Sequence, residues 1–215
     1  MIPMIKLLIF DLSGVCFSLE EPMYLKQFSR EHHLSATALE QFYTPLVEAS
    51  ERGMLSGAEI WRRVLKRFRI RASPERIVSE MMSLKRPRRT VLRFAGRMRS
   101  RFRVAYFTNY NRVYWHAVNA KFLMTQWFDG GIVSYQIRSR KPAREGFSAI
   151  LRAFHARPEE AIYIDDSERN VASARRLGIH GIRYTSLRGL RREIEAISDR
   201  FKKGAALPNC KRFSA

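Results

Sequence analysis

Four short apolar runs recur along the chain, and each ends at once on a small or charged polar residue. They are residues 7–10 before Asp11, 104–107 before Thr108, 132–133 before Ser134 and 161–164 before Asp165. Runs without apolar–polar alternation predict strands buried on both faces, which is the habit of a parallel sheet. Residues 181–184 form a fifth candidate, interrupted by Arg183. Between the runs, apolar residues recur at helical spacing over 91–98, 114–124, 144–154 and 168–177, the last closed by Gly178 as a C-terminal cap. Strands and helices in alternation predict an α/β fold: a doubly wound, Rossmann-like parallel sheet.

One stretch breaks the alternation. Residues 17–87 carry no strand signal and instead hold four helix candidates beginning near Pro22, Ser35, Ser56 and Ser73. Ser56 and Ser73 are N-cap residues, the first with Glu59 at the capping-box position and the second with Pro74 at the first helical position. Ile60, Val64, Leu65 and Phe68 then follow at helical spacing. The chain therefore divides into an α/β core (1–16 and 88–203), an all-helical insert (17–87) and a flexible basic tail (204–215). Trp61, Trp115 and Trp127 stand in apolar helical patterns, where packing is the economical role for each.

Composition narrows the class. The 215 residues are 46% hydrophobic, enough to bury a core, and two cysteines, Cys16 and Cys210, offer neither a disulfide framework nor zinc-ligand spacing. No apolar stretch approaches the ~20 residues of a membrane helix, so a cytoplasmic protein without a membrane partner is expected. Forty Lys and Arg face twenty Asp and Glu, a net charge of +20 that favours phosphates and polyanions as partners.

In open parallel sheets ligands bind beyond the carboxyl ends of the strands, where these polar residues should converge. Asp11 follows the first strand, with Gly14 permitting a tight turn. Asp165 and Asp166 end another strand and open a helix. Three carboxylates gathered there would raise one another's pKa unless a cation sits among them, and an oxygen-only ligand set with room for water and a phosphate favours Mg²⁺ over Zn²⁺. Thr108 and Asn109 bring a hydroxyl and an amide, Arg140 and Lys141 positive charge, which together suit nucleophilic phosphoryl transfer.

In Asp11-Leu12-Ser13-Gly14-Val15, Thr108, Arg140-Lys141-Pro142 and Asp165-Asp166-Ser167-x-x-Asn170, taken in that order, the chain resembles the haloacid dehalogenase (HAD) superfamily. The phrasing is similar to its epoxide-hydrolase-domain-like branch, which includes sugar-phosphate phosphatases, and the helical insert resembles the α-helical cap of the family's first cap class. The resemblance implies that Asp11 is the nucleophile that becomes an aspartyl-phosphate, that Thr108 bonds the phosphoryl oxygens and that Lys141 balances charge. It further implies that Asp166 is the principal Mg²⁺ ligand beside Asp11, with Asp165 ligating directly or through water, the Ser13 carbonyl completing the set and Asn170 supporting it. Ser13, Asn109 and Arg140 would line the phosphate site.

One position departs from the pattern. Two residues after the nucleophile, most family phosphatases carry an Asp that protonates the leaving oxygen and activates water; in this chain it is Ser13. A hydroxyl does this poorly, and losing a general acid–base costs ~10²–10⁴ in rate. His32, His33, Glu48 and Glu51 of the insert are possible substitutes, although each reads more simply as solvated surface.

The expected activity is Mg²⁺-dependent hydrolysis of a small phosphorylated metabolite. Two alternatives accompany it: metal-independent dehalogenase-like hydrolysis at the same aspartate, and a weakly active HAD-fold protein that binds nucleic acid or another polyanion. The second rests on residues 85–103, with nine basic side chains and no acid, in which Arg89, Arg93, Arg97 and Arg101 fall on one helical stripe.

Overall fold

The structure, a computed structural model, describes residues 4–202. Five strands, β1 (Leu7–Phe10), β2 (Arg103–Thr108), β3 (Gly130–Val133), β4 (Ala161–Asp165) and β5 (His180–Arg183), form one all-parallel sheet in the order β3-β2-β1-β4-β5. β1 is central, and its residues explain the absence of alternation. Leu8 and Phe10 pack into one cluster with Val91, Phe94, Val118 and Leu190, while Leu7 and Ile9 face the other way toward Phe147, Ile150 and Ala174. Both faces are dry, so neither admits a polar residue.

Four helices lie between β1 and the first core helix: α1 (Glu21–Glu31), α2 (Ala36–Glu51), α3 (Gly57–Phe68) and α4 (Pro74–Leu84). The Ser35, Ser56 and Ser73 hydroxyls each accept from the backbone N–H three residues on, satisfying one orphan donor per helix. The capping box expected at Ser56 is not completed: the Glu59 carboxylate turns to Arg62 and Arg63. These helices bury a core of their own, in which the Trp61 ring meets those of Tyr24, Phe28 and Tyr43.

Insert and core meet at two paired linkers. Ser18 N–H donates to the Arg86 carbonyl at 2.9 Å, the Arg86 N–H returns to Ser18 Oγ, and Phe17 bridges Pro87. Beside them the Lys85 ammonium meets Glu20 at 2.7 Å, both buried.

The core helices are α5 (Arg89–Met98), α6 (Arg112–Phe122), α7 (Arg144–Ala153), α8 (Glu168–Arg176) and α9 (Leu187–Lys202). Met124, expected at the end of α6, falls in a separate 3₁₀ turn after Leu123 turns left-handed. Gly178 adopts φ +84° just past α8, the conformation that favours glycine there. α9 is an addition to the expected elements: its apolar stripe is interrupted by charges, yet Leu190 and Ile194 lock it to the sheet. The expected flexible tail and Cys210 lie outside the described residues. Among the described residues no helix is long and apolar enough to cross a membrane.

Candidate active site

The sheet register assembles the site. Phe10 pairs with both Tyr106 and Ile164, so Asp11 emerges level with Asp165, and Thr108 lies one residue further along β2. One cavity of about 310 Å³ opens over these strand ends, roofed by the helical insert, with Tyr43 and Ile60 in its lining. Asp11, Ser13, Thr108, Asn109, Lys141, Asp165, Asp166 and Asn170 all reach it.

Oxygens of Asp11, Asp165 and Asp166 lie within 4.8 Å of one another. The Lys141 ammonium, buried with them, meets Asp11 Oδ1 at 2.7 Å and Asp165 Oδ2 at 2.9 Å. The loop bearing Lys141 is held by Asn109, whose amide accepts from the Lys141 N–H at 2.9 Å and donates to the Lys141 carbonyl at 3.2 Å. Asn109 therefore positions the lysine through its Oδ1 and one of its two amide N–H groups.

The three carboxylates differ in their surroundings. Asp165 Oδ2 accepts from Asn170 at 3.0 Å, from Lys141 and from the Tyr163 hydroxyl, while its Oδ1 accepts from Ser167 N–H at 2.8 Å. Burial works against its charge, but Lys141 and these donors outweigh burial and hold its pKa below the usual carboxylate range. Burial pushes Asp11 up to about 7, Lys141 opposing and Asp165 adding to the rise. Asp166 is raised by burial and by Asp165. Two of three carboxylates are thus short of positive charge. This donor set, all oxygen and under-compensated by one lysine, fits a hard divalent cation.

A second unfilled valence lies opposite. The Thr108 hydroxyl is buried with no hydrogen-bond partner among the described residues. A desolvated hydroxyl left unpaired is costly unless a ligand oxygen meets it.

Gly14 shapes the turn beneath Asp166. Its φ is +83°, and a Cβ built there would overlap the Asp166 carboxylate. Gly14→Ala is expected to cost about 1–2 kcal/mol in backbone strain alone and, by displacing the Asp166 carboxylate, to weaken any divalent-metal binding roughly tenfold or more. Thermal denaturation with and without Mg²⁺ checks it; a variant with unchanged melting and metal response would refute the crowding.

Three expectations are corrected. Arg140 does not face the phosphate position: its guanidinium is committed to Glu51 at 2.7 Å and Glu48 at 2.8 Å, tying the loop before Lys141 to α2. Glu48 and Glu51 are consequently partnered, half-buried groups rather than solvated surface, and Glu51 lines the cavity with its pKa pushed up to about 7 by burial against the pull of Arg140. Lys85, one of the nine basic residues of the 85–103 run, is 1% exposed. It ends at the cavity, with Ser13 Oγ 3.4 Å away, and Ser13 Oγ shares a 2.6 Å hydrogen bond with the Tyr110 hydroxyl. Glu21 also lines the cavity, hydrogen-bonded to Tyr43 and raised by burial. As the first residue of a helix it shows no sequence signal beyond a favourable charge at the helix N-terminus. His33 stays exposed, and His32 packs on Phe28 away from the site.

The family model of haloacid dehalogenase-like hydrolases matches residues 5–178. The chain belongs to this family. A HAD family enzyme from Bacteroides thetaiotaomicron, solved as a magnesium complex, is 25% identical with a TM-score of 0.72, covering 85% of this hydrolase and 93% of its own chain. That enzyme has also been solved with magnesium and inorganic phosphate. A HAD-like family hydrolase from Porphyromonas gingivalis shares the fold at 21% identity and a TM-score of 0.68, covering 89% of this hydrolase and 98% of its own chain. So does an L-2-haloacid dehalogenase from Xanthobacter autotrophicus with chloropropionic acid covalently bound, at 16% identity and a TM-score of 0.63, covering 90% of this hydrolase and 83% of its own chain. In this HAD-like hydrolase residues of the helical insert line the cavity over the strand ends.

Proposed function

We propose that this HAD-like hydrolase is a Mg²⁺-dependent phosphatase that admits a small phosphorylated metabolite to the cavity beneath its helical cap and cleaves it through Asp11. The observation that carries the reading is the meeting of three carboxylates within 4.8 Å with one buried lysine and an unpartnered threonine hydroxyl. The magnesium and phosphate bound by the Bacteroides enzyme support it.

Asp11, Asp166 and the Ser13 carbonyl would hold Mg²⁺. Asp165, whose oxygens already accept from Lys141, Tyr163, Asn170 and Ser167, contributes mainly through its charge or a bridging water. Bound there, the metal supplies positive charge against the phosphoryl oxygens. An Asp11 oxygen attacks phosphorus, the bond to the leaving oxygen breaks, and an aspartyl-phosphate remains. Water then attacks that phosphorus, releasing inorganic phosphate and restoring the carboxylate. Thr108 donates to a phosphoryl oxygen. Lys141 opposes the rise that burial imposes on Asp11 and balances the transferred charge, since buried between two carboxylates it stays protonated: burial lowers its pKa, but Asp11 and Asp165 raise it by more.

Calorimetric titration should show one Mg²⁺ bound per chain, and EDTA should abolish phosphatase activity. No heat of binding, or activity undiminished by EDTA, would overturn the reading. Chloride release from a haloacid in EDTA would replace it with dehalogenation at Asp11.

A further inference from the structure

The reaction at Asp11 leaves most of the +20 charge without a role, and the structure shows where that charge is concentrated. Arg89, Arg93 and Arg97 project from α5 at successive turns, and Arg101 follows in the turn after the helix; all four are exposed and none has an ion-pair partner among the described residues. Exposed arginines of the cap behave differently. Arg62 and Arg63 pair with Glu59, and Arg76 with Glu80, as solvated helical charges commonly do.

Among the described residues no acid pairs with the α5 stripe. Like charges four residues apart repel along a helix, and Arg89 at its N-terminus opposes the backbone dipole, which Arg97 in the last turn complements only in part. The first turn of α5 carries Arg89 and no acid. The stripe therefore stands at a local cost to the helix that an external anion would offset.

A neighbouring helix widens it. The Arg191 guanidinium of α9 sits 5.4 Å from the centre of the Phe94 ring, so Arg97, Arg101 and Arg191 rim one groove of about 400 Å³ between α5 and α9, with Glu195 its one carboxylate. We propose that this face, Arg89, Arg93, Arg97 and Arg101 with Arg191 beside them, binds the phosphodiester backbone of a nucleic-acid duplex without regard to sequence.

Two observations select this partner. An interfacial membrane helix needs an exposed apolar face, whereas none of the large apolar side chains exposed among the described residues lies on α5 or α9. Single strands are held largely by stacking on exposed aromatic rings, but Phe94 and Phe102 are buried. What remains is a row of guanidinium groups, and these suit phosphate oxygens. Duplex binding at this face does not depend on the reaction proposed at Asp11.

The test is a fluorescence-anisotropy titration of a labelled duplex of random sequence across a salt series, using the full chain. Wild type should bind with a log–log salt slope reporting several phosphate contacts. A variant carrying Arg89→Gln, Arg93→Gln, Arg97→Gln and Arg101→Gln should lose about 0.9 of slope per arginine removed. Its melting temperature should hold or rise, because repulsion is relieved. The control carries Arg62→Gln, Arg63→Gln, Arg76→Gln and Arg175→Gln, removing the same charge from arginines that are all paired, and should keep the wild-type slope. Equal loss in both variants, an unchanged slope in the α5 variant, or tighter binding to phosphatidylserine vesicles than to the duplex would each overturn the proposal.

Discussion

Asp11→Asn is expected to remove turnover altogether, a fall of ~10³ or more in kcat, while the protein melts at or above the wild-type temperature. The two halves have different causes. Asparagine has nearly the shape of aspartate and keeps an oxygen for the Leu12 N–H, which lies 2.6 Å from Asp11 Oδ1. It also removes one of three mutually repelling carboxylates from a cluster in which Lys141 is the cation paired with Asp11. What it cannot do is attack phosphorus. An amide oxygen lacks the charge of a carboxylate, and removing an essential nucleophile costs far more than removing a positioning contact. The measurement is single-turnover phosphate release with a wild-type preparation alongside, plus thermal unfolding of both. Activity above about a tenth of wild type would exclude Asp11 as nucleophile, because losses of that size accompany side chains that only position others. Loss of activity with a lowered melting temperature would instead point to a structural role.

How much of this was legible before the structure depends on the range of the interactions involved. The strands were legible because a two-sided dry environment forces unbroken apolar runs, and Leu7 to Phe10 obey that rule at every position. Most helices of the insert were legible through local signals, such as the hydroxyls of Ser35, Ser56 and Ser73 acting within three residues of themselves. Convergence of Asp11, Thr108 and Asp165 followed from the parallel sheet, since strand ends share one edge. Pairings across the cap–core boundary could not be read in this way. Arg140 carries the same side chain whether it faces a phosphate or, as in this fold, two glutamates some ninety positions earlier in the chain. Lys85 belongs by sequence to a solvated basic run, yet the fold buries it against Glu20 where the two linkers cross. α9 carries a weak sequence signal for a third reason: its buried stripe is narrow and half of its residues are charged, so its helical period is clear only once the sheet face it covers is known.

Ser13 sets the second large effect. Wild type should hydrolyse acyl, aryl or anomeric sugar phosphates with much higher kcat/KM than simple alkyl phosphates, because a hydroxyl replaces the group that normally protonates the leaving oxygen. The phosphoryl-transfer transition state is loose, charge builds on the departing oxygen, and a leaving group of low pKa carries that charge unaided. The surroundings of Ser13 strengthen the expectation, since its Oγ is already engaged with the Tyr110 hydroxyl at 2.6 Å and lies 3.4 Å from the Lys85 ammonium. Neither neighbour is a carboxylate. A missing general acid is worth ~10²–10⁴ in rate, so the difference between alkyl and aryl substrates should span a comparable range. Ser13→Asp should narrow it by speeding the alkyl substrates, because the new carboxyl can give its proton to the departing oxygen. The measurement is kcat/KM across a leaving-group series in both proteins, with chemistry shown to limit the rate. A wild-type rate independent of leaving-group pKa would mean that the proton comes from the cap. Glu21 is then the group to examine, because it lines the cavity without a salt-bridge partner among the described residues, whereas Glu51 is held by Arg140. In that outcome Glu21→Gln, and not Ser13→Asp, would change the slope, and the hydroxyl at position 13 would place no limit on which phosphates the enzyme can cleave.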